Sequence, residues 1–196
     1  MIAEGRDNSH DARDAIAKDA GRSPRVIPRR QTATVAARPP QNDLNADDLR
    51  RLAAPRARIT IRDVGTFELA LFTAQAPATV LRFAHLAEAG YYNGLTFHRV
   101  VPNFVIQGGS PGANEYVGDA AFMRDELGSW PHVRGAVGIS TRGRDTGDAQ
   151  IFIDLVDNPR LDHDYTVFAQ VLNGIDVVDR ILEGDVIERI EIVTGP

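Results

Sequence analysis

The amino-acid sequence predicts a mainly β fold, a closed or nearly closed antiparallel barrel with two helices covering its open ends. Seven or eight short segments have strand character, most of them separated by turns, and only two segments have the apolar period of a helix. Short strands that follow one another as hairpins form antiparallel sheets, and curling such a sheet into a barrel removes its exposed edges.

The first two predicted strands form a hairpin. Residues 58–62, with the sequence RITIR, alternate strictly between polar and apolar side chains. After a turn at 63–66, the sequence FELALF alternates again, with Phe67, Leu69 and Leu71 on one face. Two such runs joined by a short connection indicate antiparallel pairing with one face toward the core.

Two segments change to a helical period. In residues 77–90 an apolar stripe recurs every three or four positions, Pro77 suits the first turn, and Gly90 suits the end of a helix. A second helix is predicted over residues 175–182. The remaining strands are predicted over residues 135–140, 150–155, 166–171 and 186–193, and in the run 97–109, which breaks at Pro102-Asn103 and then resumes.

Residues 1–55 are predicted to be a flexible, disordered extension or linker before a domain at 56–196. Residues 1–50 contain no aromatic side chain and only seven of Ile, Leu and Val, too little apolar surface to offset the entropy of ordering them. A short helix is predicted near residues 45–54, because NADDLRRLAAP offers a capping asparagine, an acidic first turn and a terminating proline.

Charge and composition exclude several classes of function. Residues 1–58 carry 12 basic and 8 acidic side chains, whereas residues 59–196 carry 10 basic and 19 acidic ones. An acidic domain repels nucleic-acid backbones, so no nucleic-acid partner is expected. The chain has no cysteine, which excludes disulfides, thiol catalysis and thiolate metal sites.

The sequence shows neither a membrane span nor an export signal. No apolar run approaches the length of a span, and the N-terminus MIAEGRDNSHD lacks the apolar region of a signal peptide. The expectation is therefore a cytoplasmic protein. A periplasmic or secreted location is the alternative if the chain is a fragment of a longer precursor.

The residue types of metal and hydrolytic sites are scattered in this sequence. Five histidines are present without an HExxH pair or a close cluster with carboxylates, so no metal and no cofactor is expected. Strand alternation predicts His98 on the face opposite Arg99, as a structural or surface histidine. The triplet Asp145-Thr146-Gly147 is that of aspartic proteases, but arginines precede it and no second copy exists, which favours a polar turn over a hydrolase.

The stretch FHRVVPNFVIQGG at residues 97–109 combines an arginine, a glutamine and apolar side chains without a nucleophile or an acid. By itself it would indicate a salt-bridged edge strand. Two further blocks change this interpretation, DAQIFI at 148–153 and RLD through YTVF at 160–168. Together with GAVGIS and FAQVLNG on either side, they resemble the cyclophilin family of peptidyl-prolyl cis-trans isomerases, over about residues 56–194.

The resemblance implies an eight-stranded antiparallel barrel capped by two helices, with a peptide groove on its outer surface. It implies Arg99 as the catalytic residue, with Gln107 bound to the substrate backbone or orienting Arg99. Because simple alternation places Phe104 and Gln107 on opposite faces, the implied site requires a bulge or a strong local twist. The other substrate-binding residues implied are Phe104, Val105, Phe152 and Leu161 around the proline ring, Ser140 and Thr141 along the peptide backbone, Gln150 as support, and Tyr165.

The pattern is of a bacterial type, and several positions depart from well-known members of the family. Tyr165 stands where many have histidine, and its hydroxyl still offers a donor. Arg160 stands where many eukaryotic members have tryptophan, which argues against strong binding of cyclosporin. Val105 replaces a commoner methionine and Ile151 a phenylalanine, both of them modest changes of shape.

The function implied is isomerisation of exposed X-Pro bonds in unfolded or flexible polypeptides, by a monomer that assists folding. The alternative is a module of the same shape that binds proline-containing segments without turnover. Retention of Arg99 favours the enzyme, because a binder has no need of a guanidinium beside the prolyl nitrogen.

Overall fold

The computed structural model describes residues 46–53 and 55–193, and within these residues the protein is mainly β, with eight antiparallel strands and three short α-helices. The predicted fold class is confirmed, whereas most of the predicted extension, residues 1–45, lies outside the described residues. The strands are β1 (Arg56–Ile61), β2 (Gly65–Leu71), β3 (Thr96–Val100), β4 (Val105–Ser110), β5 (Ala136–Ile139), β6 (Ile151–Asp154), β7 (Val167–Asn173) and β8 (Ile187–Val193). The helices are α1 (Ala46–Arg51), α2 (Pro77–Glu88) and α3 (Ile175–Asp179), with a 3-10 turn at Pro159–Leu161.

The strands form one sheet in the order β3-β4-β6-β5-β7-β2-β1-β8. Its two edges meet, because the Gly94 amide donates to the Ile187 carbonyl at 2.7 Å and the Ile187 amide donates to the Leu95 carbonyl at 2.8 Å. The Gly184 amide adds a third bond, to the Phe97 carbonyl at 2.8 Å. Backbone groups at both edges thereby find partners, and the sheet curls around the apolar core.

The hairpin of β1 and β2 matches its prediction. The two strands pair antiparallel, with Ile61 opposite Gly65, and buried and exposed residues alternate along both. Asp63 in the turn has a φ of 59°, a left-handed conformation that aspartate tolerates better than most residues.

Helix α2 buries one face against the core and is capped from a distance. Val80 and Phe83 are fully buried on the inner face. The residue at the N-cap is an alanine, which has no side-chain acceptor, and the carboxylate of Glu126 takes that role instead. It accepts hydrogen bonds from the backbone amides of Ala78 at 3.1 Å and Thr79 at 2.8 Å, which satisfies two free amides at the positive end of the helix.

Helix α3 is shorter than predicted, because it ends at Asp179 and not at residue 182. The buried carboxylate of Asp185 accepts the Leu182 amide at 2.8 Å, and the Asp185 carbonyl accepts the Phe97 amide at 2.9 Å. These bonds draw the chain out of the helix toward β3 while Leu182 stays buried. None of the helices in residues 46–53 and 55–193 is long and apolar enough to cross a membrane.

Candidate active site

The turn between β3 and β4 decides where Phe104 lies. The chain turns through Asn103, which has a φ of 57°, and β4 begins only at Val105. The Val101 amide donates to the Val105 carbonyl and the Phe104 amide to the Val101 carbonyl, at 2.9 and 3.1 Å. Phe104 is therefore a turn residue outside the strand. The predicted conflict with Gln107 does not arise, because alternation does not govern a residue in a turn.

A bulge does occur, but in β3 and not beside Phe104. Phe97 pairs with Gly108 and Arg99 pairs with Gln107, so the register shifts around His98. His98 is buried, with 6% of its surface exposed, and burial lowers its pKa to about 4 against smaller opposing effects of the Thr96 backbone and the Gln150 side chain. The imidazole is consequently neutral at neutral pH.

A surface cavity of about 260 Å³ opens beside this hairpin. Nine of the ten residues predicted for the site line it, and Gln150 alone lies behind the surface, fully buried. Three further residues, which the sequence reasoning missed, complete the lining. The residues that line the cavity are Arg99, Phe104, Val105, Gln107, Glu115, Tyr116, Ser140, Thr141, Arg142, Phe152, Leu161 and Tyr165.

Gln107 links the cavity wall to the layer behind it. Its amide nitrogen donates to the Ser140 hydroxyl and to the Gln150 side-chain oxygen, both at 2.9 Å. Its amide oxygen faces Nη1 of Arg99 at 3.4 Å. Because both ends of this amide contact protein groups, the geometry favours the orienting role of Gln107 over direct binding of substrate.

The apolar part of the cavity is built around Phe152 on β6. The Tyr165 ring meets it edge to face, with centroids 5.6 Å apart. Phe104 and Val105 come from the β3–β4 hairpin, and Leu161 from the 3-10 turn. These five side chains form an apolar socket, which we call the proline socket after the ring that the resemblance assigns to it.

The guanidinium of Arg160 lies over the ring of Phe104, with its central carbon 4.5 Å from the ring centroid. A cation at this distance is attracted by the electrons of the aromatic face. Arg160 therefore covers Phe104 at the position where the sequence departs from the commoner tryptophan.

The most consequential residue that the sequence reasoning missed is Glu115. Its carboxylate lies 2.8 Å from Nε of Arg99, so the arginine does have an acidic partner in the cavity. Glu115 belongs to the glycine-rich run after β4, where a turn is the ordinary expectation, and no spacing rule connects a loop residue to a strand residue across the cavity. Only the presence of a carboxylate shortly after an unpaired strand arginine could have suggested it.

The alternative chemistry at Asp145 is not supported by its surroundings. Asp145 has a φ of 57° in an exposed turn, and its carboxylate accepts the backbone amide of Asp125 at 2.9 Å. The Asp145 amide in return donates to the Asp125 carboxylate at 3.1 Å. These reciprocal bonds are those of a polar turn, as the sequence predicts.

Comparison with known proteins agrees with this fold and identifies relatives of the chain. A family model described as cyclophilin type peptidyl-prolyl cis-trans isomerase/CLD matches residues 56–194. A peptidyl-prolyl cis-trans isomerase of Helicobacter pylori is 41% identical over 142 residues, which cover 70% of this chain and 87% of that protein. Peptidyl-prolyl cis-trans isomerase B of Bacillus subtilis is 37% identical over 134 residues, which cover 67% of this chain and 94% of that protein.

Solved structures agree on the fold. The crystal structure of a Cryptosporidium parvum cyclophilin type peptidyl-prolyl cis-trans isomerase has a TM-score of 0.67 and 24% identity, and covers 73% of this chain and 99% of its own. A second structure of the same protein, in the presence of the dipeptide Ala-Pro, has a TM-score of 0.63 and covers 72% of this chain and 99% of its own.

An antiparallel barrel that carries an arginine beside an apolar socket on its outer surface defines the class of the protein, a prolyl isomerase. The chain belongs to the cyclophilin-type peptidyl-prolyl cis-trans isomerase family. The family resemblance and the enzyme class predicted from the sequence are confirmed.

Proposed function

We propose that Arg99 catalyses rotation about X-Pro bonds of peptides held in the proline socket. Resonance gives the peptide bond a rotation barrier of about 18 to 20 kcal/mol. As the amide twists, the conjugation is lost and the prolyl nitrogen gains a lone pair that accepts a hydrogen bond. A guanidinium fixed beside that nitrogen stabilises the twisted state more than either planar form, which lowers the barrier.

The single observation that carries this proposal is the position of Arg99. Its guanidinium lines the same cavity as Phe104, Val105, Phe152 and Leu161, and its side chain is 32% exposed. Arginine stays charged at every physiological pH, so the mechanism needs no proton transfer and no base. The exposed part of the guanidinium is within reach of a peptide whose proline ring fills the socket.

The socket holds the ring while the preceding carbonyl swings. Val105 and Phe152 are 3% and 5% exposed, so they present rigid apolar walls. Ser140 and Thr141 lie along the same cavity and offer polar groups to the backbone of an extended peptide. Tyr165 supplies a hydroxyl at the position where histidine is commoner, and Gln150 supports Gln107 from behind.

Proline-containing peptides are the substrate class, and the Cryptosporidium parvum relative studied with Ala-Pro supports this. We expect the natural clients to be unfolded or flexible polypeptides, because the cavity is open at the surface and accepts only an exposed proline. We also expect the protein to act as a monomer.

The alternative, a module that binds proline segments without turnover, makes a different prediction in one NMR experiment. Exchange spectroscopy on a short Ala-Pro peptide detects cis–trans interconversion directly, and chemical-shift changes detect binding. The enzyme should produce exchange cross-peaks at substoichiometric concentration. Binding without added exchange would favour the module and contradict the proposal.

A further inference from the structure

The catalytic guanidinium is held from two sides. Nε of Arg99 lies 2.8 Å from the Glu115 carboxylate, and Nη1 lies 3.4 Å from the Gln107 side-chain oxygen. A guanidinium has five N–H donors in a rigid plane. One N–H of Nη1 donates to Gln107, Glu115 pairs with the guanidinium on its Nε side, and no group among the described residues accepts a hydrogen bond from Nη2.

The loop that carries Glu115 is itself fixed by residues of the cavity. The Glu115 carbonyl accepts hydrogen bonds from Nη1 of Arg142 at 3.1 Å and from the Gln150 side chain at 3.3 Å. The side chain of Asn114 accepts the amides of Tyr116 and Val117 at 2.8 and 3.0 Å. The carboxylate of Glu115 is therefore presented from a braced backbone.

Arg142 is braced in turn. Its Nη2 lies 3.0 Å from the carboxylate of Asp148, which is fully buried, and its guanidinium lies over the Phe122 ring at 5.6 Å. Side chains held by contacts of their own keep a site closer to its working geometry than free ones do. Asp148 thus holds Arg142, Arg142 holds the backbone of Glu115, and the Glu115 carboxylate pairs with Arg99. None of these contacts involves a side chain of the proline socket.

We propose that Glu115 is a positioning residue for the isomerisation. Its carboxylate pairs with the guanidinium of Arg99 on the Nε side and, together with Gln107, fixes the plane of the guanidinium so that the outer N–H groups meet the prolyl nitrogen. This rests on the role proposed for Arg99. Glu115 acts only through that side chain, and it contributes to turnover more than to binding of the peptide.

The test is steady-state isomerisation of a short Ala-Pro peptide by the full chain. Glu115→Ala should lower kcat about fivefold, the factor expected for loss of an exposed ion pair, with KM changed less than about twofold. Glu115→Gln should recover only part of kcat, because it keeps the shape of the side chain and an oxygen beside the guanidinium but loses the charge. Glu188→Ala is the matched control: that carboxylate is 45% exposed, as in Glu115, and pairs with Arg189 outside the cavity, so both parameters should stay unchanged.

A double-mutant cycle separates positioning from a general structural effect. In an Arg99→Ala background, Glu115→Ala should change kcat by less than about twofold, because the side chain through which it acts is gone. An equal loss in both backgrounds, or full kcat in Glu115→Ala alone, would overturn the inference. Full activity in Arg99→Ala would overturn the role proposed for Arg99. Loss of activity in Arg99→Ala with no effect of Glu115→Ala would overturn only the role of Glu115.

Discussion

The imidazole of His132 lies parallel to the ring of Phe152, with centroids 5.6 Å apart and planes 14° apart. Nδ1 of His132 is 2.9 Å from the Asp154 carboxylate, and both side chains are inaccessible to solvent. Asn158 donates to the same carboxylate at 2.7 Å and to the Phe104 carbonyl at 3.1 Å. Phe152 and the Phe104 backbone, both part of the proline socket, thus contact one buried polar cluster.

The first prediction concerns Asp154 in this cluster. Asp154→Ala should lower the free energy of unfolding by about 3 kcal/mol, because it leaves Nδ1 of His132 without its partner in the interior and removes one acceptor of the Asn158 amide. Urea-induced unfolding measures this. Asp179→Ala is the control, since that carboxylate forms a half-exposed pair with Arg134 and should cost less than about 1 kcal/mol. Equal stability of the two variants would be incompatible with the buried role of Asp154.

The second prediction concerns the space beside Phe152. A Cβ atom at Gly138 would lie 2.3 Å from Cζ of that ring, so Gly138→Ala must displace it. We expect a loss of about 1 to 3 kcal/mol in stability and a raised KM for an Ala-Pro peptide. Thermal unfolding and isomerisation kinetics measure the two effects. Gly128→Ala is the control, because its Cβ would meet only the end of the Gln75 side chain. An unchanged KM in Gly138→Ala would show that the ring position does not matter.

The third prediction is a pH dependence of stability due to His98. Its pKa is about 4 in the folded protein, against about 6.5 in an unfolded chain, so between these values the unfolded state binds more protons. This contribution is complete above about pH 6.5 and decreases as the pH falls toward 4. When the pH is lowered from about 7.5 to about 5, the free energy of unfolding of the wild type should fall by about 2 kcal/mol more than that of the His98→Gln variant.

Urea unfolding at the two pH values measures this difference. The control is His163→Asn, because His163 is exposed and asparagine tolerates its left-handed backbone, φ 62°. The control should follow the wild type. Parallel pH profiles for wild type and His98→Gln would refute the assignment to His98.

Much of the site could be predicted because its residues lie in one short stretch. Arg99, Val105 and Gln107 belong to two strands joined by a tight turn, so their closeness follows from the hairpin itself. The position of Phe104 could not be predicted by alternation, since a positive φ at Asn103 takes Phe104 out of the strand.

Contacts between distant segments were beyond the reach of sequence patterns. Neither periodicity nor spacing connects Glu115 with Arg99, or His132 with Asp154, because such pairs depend on how the strands curl together. The end of α3 is likewise set by contacts outside the helix. Its apolar period continues to Leu182, but the buried carboxylate of Asp185 redirects the chain toward β3.

The guanidinium of Arg99 lowers the rotation barrier of the X-Pro bond in the function proposed above. The most direct measurement is the catalytic efficiency of wild type and Arg99→Ala on one short Ala-Pro peptide, after circular dichroism has verified that both are folded. Arg99→Ala should lose at least about tenfold in catalytic efficiency, which corresponds to about 1.4 kcal/mol of barrier. Full activity in a folded Arg99→Ala variant would contradict it.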